Sequence, residues 1–261
     1  MFVRAAQVHL YNESMRRLMI IPAAGAGSRL KSPAPKLLVP VAGRPMIDYL
    51  FDLYKPFVER FIIVLHPSFA EDARRHCAGS RLDVEYAIQP SPTGMLDAIL
   101  IPHGPVSQYQ PDQVWITWCD QIAVTPGTAR KLEQTADLDP TAAMVMPTFI
   151  KSQPYIHLVR NADGKIVDIL HRREGDDMPE LGEGDLGLFS LSRKAYIELL
   201  PQFAGDVVKG HGTQERNFLP FISWLANKAP VVTFPAQHEI ESVGVNDAAD
   251  LRRIEQFFVK Q

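Results

Sequence analysis

Two closely spaced glycines, Gly25 and Gly27, follow the apolar run Leu18 to Ile21 in the stretch Ala23-Ala24-Gly25-Ala26-Gly27-Ser28-Arg29-Leu30. Lacking a Cβ, they let the chain turn sharply after a strand and bring backbone N–H groups up to an anion, so the stretch predicts a phosphate-facing turn. Arg29, and Lys36 in Pro35-Lys36-Leu37-Leu38, add positive charge to that turn. A tight βα connection carrying two cations that merely keep a loop soluble has the same signature and stands as the alternative. A dinucleotide fingerprint needs glycine at position 30, where Leu30 stands, and no Gly-Lys-Ser/Thr occurs; both facts weigh against dinucleotide oxidoreductases and P-loop kinases. The 8 histidines form no pair at metal-ligand spacing and there is no Gly-x-Ser-x-Gly, so zinc and serine hydrolases are disfavoured.

Those residues need a scaffold, and the apolar pattern supplies one. Short runs recur at Leu18 to Ile21, Phe61 to Leu65, Val84 to Ile88, Val114 to Trp118 and Ala142 to Met146, with helical stretches between them. Strands apolar on both faces and joined by helices predict a doubly wound, mainly parallel α/β sheet of Rossmann-like type. In Met46 to Tyr54, Ile47, Leu50, Phe51 and Tyr54 share one helical face, and Pro45 suits a first turn. After Pro147 the pattern changes. Asn161-Ala162-Asp163-Gly164 is turn chemistry between His157 to Arg160 and Lys165 to Leu170, which predicts a hairpin. Residues 172–185 are polar, acidic and glycine-rich and are expected to form a mobile loop or lid. A strand near Gly187 to Leu191, helices over Ser192 to Leu200 and Glu215 to Asn227, a strand at Val231 to Phe234 and a helix over Asp247 to Phe258 complete the expectation. Trp115 and Trp118 should face opposite sides of the sheet, as core rather than stacking platform.

Composition bounds the rest. The 261 residues suffice for one large α/β domain, and 46% hydrophobic with 22% charged residues is ordinary for a globular chain. A formal charge of -3 provides no overall positive field to draw in nucleic acid or an anionic membrane, so any phosphate must be gripped locally. The 2 cysteines, Cys77 and Cys119, suit a reducing cytoplasm, and no apolar stretch approaches a membrane span. Residues 1–17 lack the apolar middle of a signal peptide and are expected to be a loose extension, or the product of an upstream start before Met15 or Met19. Residues 18–261 then form one domain, with a first half to 147 and a second half over 148–261 holding a smaller hairpin and helix insertion. Nothing in the composition sets an oligomeric state.

The run from Gly25 to Arg29, followed by Pro35-Lys36-Leu37-Leu38-Val39-Pro40-Val41-Ala42-Gly43-Arg44-Pro45-Met46-Ile47, resembles the signature of the sugar-1-phosphate nucleotidyltransferases. That superfamily includes the N-acetylglucosamine-1-phosphate uridylyltransferases and the glucose-1-phosphate thymidylyltransferases. Glu85 to Gly94 is similar to the base-reading segment of the thymidylyl enzymes, while Gly164 to Glu174, Glu183 to Gly187 and Val243 to Asp247 look more like the uridylyl enzymes. The resemblance runs from about Met19 to the C-terminus.

It implies transfer from a nucleoside triphosphate, UTP or dTTP, to a sugar 1-phosphate with release of pyrophosphate and with Mg²⁺ as cofactor. Arg29 and Lys36 are then the catalytic cations, Arg29 forked onto the departing pyrophosphate oxygens and Lys36 a point charge near the α-phosphate. Ala24, Gly25, Gly27, Ser28, Gln89, Thr93 and Gly94 hold the nucleotide, the Gln89 amide offering both the donor and the acceptor that uracil or thymine requires. Asp120 and Asn246 are the metal ligands. Asp120 sits at the carboxyl edge of a strand, and its alternative is a turn or the cap of the helix at Thr125-Pro126; for Asn246 the alternative is that it or Asp247 is a natural cap for the last helix. Glu183, Gly187, Arg173 and Glu215 face the sugar phosphate, although a capping-turn carboxylate would look like Glu215. Cys119, His171 and Asp185 depart from the family pattern. Transfer of a cytidylyl or other nucleotidyl group to a non-sugar phosphate, and a non-catalytic nucleotide-sugar sensor, remain as alternatives.

Overall fold

The computed structural model describes residues 15–25, 30 and 34–259. In chain order the elements are β1 (Arg17–Pro22), β2 (Pro40–Val41), β3 (Arg44–Pro45), α1 (Met46–Tyr54), β4 (Arg60–Leu65), α2 (Pro67–Cys77), β5 (Asp83–Ile88), α3 (Met95–Leu100), α4 (His103–Tyr109), β6 (Gln113–Thr117) and α5 (Pro126–Leu138). They continue with β7 (Met144–Ser152), β8 (Ile156–Arg160), β9 (Ile166–His171), β10 (Leu181–Asp185), β11 (Leu188–Ser192), α6 (Leu200–Asp206), α7 (Pro220–Ala226), β12 (Val231–Pro235) and α8 (Ala248–Val259).

β1 is central, with β4 and β6 parallel on either side; Ile20 lies opposite Ile62 and Ile116. β5 continues the parallel run beyond β4. The chain thus winds outward through β4 and β5 and returns to β6 on the far side of β1. In open α/β sheets such a reversal leaves the crevice that receives ligands, which here corresponds to the carboxyl ends of β1 and β6.

Both faces of β1 are buried, as its uninterrupted apolar run requires. Met19 and Ile21 join Phe61, Ile63 and Trp115 in one core layer, beneath α1, α2, α5 and α8. Leu18 and Ile20 join Ile62, Val114 and Ile116 in the other, beneath α3, α6, α7 and the hairpin β8–β9. Trp115 and Trp118 do fall on opposite layers. Each of these fully buried aliphatic side chains contributes about 1.5–3 kcal/mol relative to exposure. β1 begins at Arg17, whose guanidinium is buried and bonded to Gln113 and Asp137.

The second half shares the same sheet. β11 runs antiparallel between β6 and β7, β10 extends it along the outer part of β7, and β12 pairs with β7 in parallel. Three expectations need correction. β7 is longer than the apolar run Ala142 to Met146 that marked it, because its outer half is half-exposed and carries no continuous apolar signal. The helix expected over Ser192 to Leu200 is present from Arg193, with a π turn at Ala195–Leu199, and continues into α6. The helix expected from Glu215 begins at Pro220. Residues 172–185 are not a free lid: Arg172–Glu174 form a 3₁₀ turn and Leu181–Asp185 are the strand β10. Among the described residues no helix is long and apolar enough to cross a membrane.

Glu174 explains why that stretch is anchored. Its Oε1 accepts from Thr213 Oγ1 at 2.6 Å and Asn217 Nδ2 at 2.7 Å, and its Oε2 accepts from Gly212 N at 2.7 Å and Thr213 N at 3.2 Å. Burial alone would raise the carboxyl pKa, but these four donors outweigh it and hold the value down at about 2. A depressed pKa means stability that is complete above the unfolded-state value near 4.5 and lost as pH falls towards 2. Glu174→Gln is therefore expected to destabilise the protein by about 2–3 kcal/mol at neutral pH, measured by urea denaturation, with the difference from wild type shrinking below pH 4.5. A difference that stays constant down to pH 3 would contradict the assignment.

Candidate active site

Lys36 opens a single 3₁₀ turn, Lys36–Leu38, started by Pro35 and closed by the Leu38 N–H donating to Pro35 O at 2.8 Å. Leu37 is fully buried in the core layer of α1, which pins the turn and fixes where Lys36 emerges. From there Lys36 Nζ donates to Asp120 Oδ2 at 2.5 Å and to Asn246 Oδ1 at 3.2 Å. Lys36 and Asp120 are only 14% and 13% exposed, so their attraction is poorly screened by water.

Asp120 lies just past β6. Cys119, the departure beside it, is buried in the core, and burial together with the adjacent Asp120 charge pushes its thiol up to about 12. It is a neutral space-filler that leaves Asp120 aimed at Lys36. Asn246 arrives from the other side. Val245 N donates to Asp120 O at 3.1 Å, and a Cβ on Gly244 would stand 3.2 Å from Asp120 Cγ, so glycine there permits the close approach of the two loops. Asp247, not Asn246, caps α8: its Oδ1 accepts from Ala249 N at 2.7 Å and Asp250 N at 3.0 Å. The Asn246 side chain is thereby spared for Lys36, while donating to Gly244 O at 3.1 Å.

Ala24 and Gly25 follow β1 at the same carboxyl edge, with Ala23 N bonded to Val64 O at 2.8 Å. Among the described residues nothing lies within 4 Å of a Cβ built on Gly25, so no protein neighbour demands glycine there. Gly27, Ser28 and Arg29 fall outside the described residues. Gln89 follows β5, three strands from Asp120, a span of about 14 Å at ordinary strand spacing. Its buried carboxamide donates from Nε2 to Gly94 O at 3.1 Å and to Thr93 Oγ1 at 3.4 Å, closing the turn 90–94. Gly94 has a φ of 123°, and a Cβ there would lie 2.5 Å from Arg216 N. Its close neighbour is the Arg216 backbone, which bonds Thr93 O and Leu96 N.

The residues assigned to the acceptor divide. Glu183 on β10 is clasped by Arg160, whose Nε and Nη2 each donate to it at 2.7 Å, while Arg160 Nη2 also reaches Thr233 Oγ1 at 2.9 Å. Burial raises the Glu183 pKa, but the Arg160 and Thr148 bonds reverse this and leave it below the ordinary value. Asp185, two residues on, is pushed upward by burial, opposed by the Gly187 N–H at 2.7 Å and the charge of Lys151. Gly187, at φ +67°, takes its place because any Cβ would enter the Trp118 ring. Arg173 is exposed on the turn after β9, and Glu215 lies in the loop before α7, its backbone N–H donating to Thr213 Oγ1 at 3.2 Å. The carboxylate that anchors that loop is Glu174, from the turn after β9, rather than Glu215. Arg160 and Glu174 were missed in the sequence. An arginine ending an otherwise apolar hairpin strand was a usable signal for the first; nothing local marked the second. A separate cavity of about 820 Å³ opens at the other edge of the sheet, beside Gln113, Ser192 and Lys228.

Asp120 and Asn246 present hard oxygens to a position that a cation, the Lys36 ammonium, already approaches. That donor set fits Mg²⁺, which takes one or two protein oxygens and completes its shell with phosphate and water. No group of three or more His, Cys, Asp or Glu that could hold a metal occurs among the described residues.

A mainly parallel α/β sheet with a lysine–carboxylate pair at its switch point defines the architecture, and comparison with known families gives the class. The MobA-like NTP transferase domain matches residues 19–206, most of the chain, so the protein belongs to that family and is a nucleotidyltransferase. It is 24% identical to the bifunctional protein GlmU of Alcanivorax borkumensis over 247 residues, covering 94% of this chain and 52% of that protein. With GlmU of Paraburkholderia phymatum it shares 26% identity over 246 residues, covering 91% and 51% respectively. The chain spans about half the length of the curated relatives it matches. The resemblance to sugar-1-phosphate nucleotidyltransferases is borne out at the level of family.

Gly94→Ala should cost about 2–4 kcal/mol in chemical denaturation, because it combines a positive φ with a clash against backbone that cannot withdraw. A midpoint equal to that of wild type would show that the 90–94 turn is not held against Arg216.

Proposed function

We propose that the protein transfers a nucleotidyl group from UTP or dTTP to a sugar 1-phosphate, forming a nucleotide-sugar and pyrophosphate, with Mg²⁺ held by Asp120 and Asn246. The observation that carries this reading is the convergence of Lys36, Asp120 and Asn246 at the carboxyl ends of β1 and β6.

In this reaction a phosphate oxygen of the acceptor attacks the α-phosphorus, the α–β phosphoanhydride bond breaks, and the electron pair leaves with pyrophosphate. A phosphate is itself a competent nucleophile, so the protein's contribution is alignment and charge. Mg²⁺ would supply neutralisation of the triphosphate. Ala24, Gly25, Gly27 and Ser28 present backbone N–H groups to the phosphates, and Arg29 forks onto the departing pyrophosphate. Lys36 moves from Asp120 to the α-phosphate, exchanging one anionic partner for another without leaving the crevice. Gln89, Thr93 and Gly94 form the corner that reads the base, with the turn held by the Gln89 bond to Gly94 O. Glu183, Gly187, Arg173 and Glu215 face the acceptor. Because Arg160 already occupies both Glu183 oxygens, that carboxylate presents an oriented, ionised edge to a sugar hydroxyl.

Pyrophosphate release, screened over four nucleoside triphosphates and a panel of sugar phosphates and phosphoalcohols, tests the assignment. Turnover confined to UTP or dTTP with a sugar 1-phosphate is expected; turnover with CTP and a phosphoalcohol would reassign the substrates, and nucleotide-sugar binding without turnover would make the protein a sensor. Asp120→Ala should retain the fold by circular dichroism and lower Mg²⁺-dependent release about a thousandfold. Full activity in that variant would reject the role given to Asp120.

A further inference from the structure

We infer that Glu241 is a positioning residue for the metal pair, holding Asp120 and Asn246 at their working separation by tying together the two loops that carry them. The inference rests on the proposal that these two residues hold the ion. Glu241 belongs to a 3₁₀ turn, Glu239–Ser242, that runs directly into Val243-Gly244-Val245-Asn246. It is 0% exposed, yet among the described residues no lysine or arginine pairs with it. Its charge is met instead by hydrogen-bond donors from two segments far apart in the chain. Oε2 accepts from Thr125 N at 2.9 Å and Thr125 Oγ1 at 3.0 Å; Oε1 accepts from Gln237 N at 3.2 Å and His238 N at 3.0 Å.

Thr125 is the cap of α5 and follows Asp120 on the loop after β6. The carboxylate thus sits at the positive end of a 13-residue helix, where a negative charge is favoured. With the Val245 N–H bond to Asp120 O at 3.1 Å, it closes a frame with two ties between loops 120–125 and 241–246. One tie is at the site and the other is a turn behind it. Burying a carboxylate is a costly way to gain stability alone, whereas its four directed acceptances fix one spacing. Mg²⁺ tolerates little departure from octahedral geometry, so the spacing of its oxygens matters more to it than to a phosphate or a base. Glutamine cannot substitute, since its NH₂ would face an N–H donor wherever it was placed.

The test compares wild type, Glu241→Gln and Glu241→Asp, the last keeping the charge but withdrawing it by one methylene. Mn²⁺ affinity is read by electron paramagnetic resonance with nucleoside triphosphate bound, nucleotide affinity by calorimetry without divalent ions, and folding by thermal melting. Mn²⁺ binding is expected to weaken about 10–100-fold, with nucleotide affinity changed by less than about threefold. In an Asn246→Ala background, Glu241→Gln should add less than about threefold to the loss, because it acts through a group already removed. A lowered melting temperature with wild-type Mn²⁺ affinity would overturn the inference, and so would failure of both variants to fold, since the carboxylate would then be purely structural. If wild type itself binds Mn²⁺ no better than Asp120→Ala, it is the metal assignment that fails.

Discussion

An ammonium held between a carboxylate and an amide oxygen, in a crevice that excludes most water, is the interaction on which the rest of the site depends. Lys36 reaches Asp120 and Asn246 from a different segment than either, so three distant parts of the chain must arrive together. In water such a pair is worth little. At 14% and 13% exposure its members are coupled strongly enough that each defines where the other can stand. On the function proposed above, the same coupling sets up an exchange: a phosphate would compete with Asp120 for the lysine while a divalent ion competed with the lysine for Asp120.

The sheet makes this meeting possible. Both faces of β1 are buried, so the strand cannot slip or tilt without breaking two core layers, and its carboxyl end is a fixed point. β6 is registered against it and delivers Asp120 at the adjacent edge. β10 and β11 run in the same direction along β7, and the short link between them places Glu183, Asp185 and Gly187 within the one sheet rather than in a separate domain.

Much of this was legible in the sequence. β-branched runs apolar on both faces announced the parallel strands, and the Ile47, Leu50, Phe51 and Tyr54 spacing announced α1, because burial imposes its period directly on residue type. Lys36 was legible because it stands behind a proline in a recognisable run, and Asp120 because it ends an apolar strand at the carboxyl edge of the sheet. What escaped was carried by interactions without local periodicity. β10 reads as loop because two of its five residues are glycine and two are acidic; it is a strand because β7 pairs with it and Arg160 covers Glu183. Glu174 is a surface-type residue turned into an anchor by the donors of a loop nearly forty residues later. The capping of α8 could fall to either Asn246 or Asp247, and only the geometry assigns it to Asp247.

The most direct test of the account is the anomalous diffraction signal of Mn²⁺ in crystals grown with a nucleoside triphosphate. The account predicts a single strong peak bonded to Asp120 oxygen, with Asn246 beside it and the Lys36 ammonium withdrawn onto the α-phosphate. Manganese bound elsewhere, with Lys36 still resting on Asp120 while nucleotide is present, would contradict it.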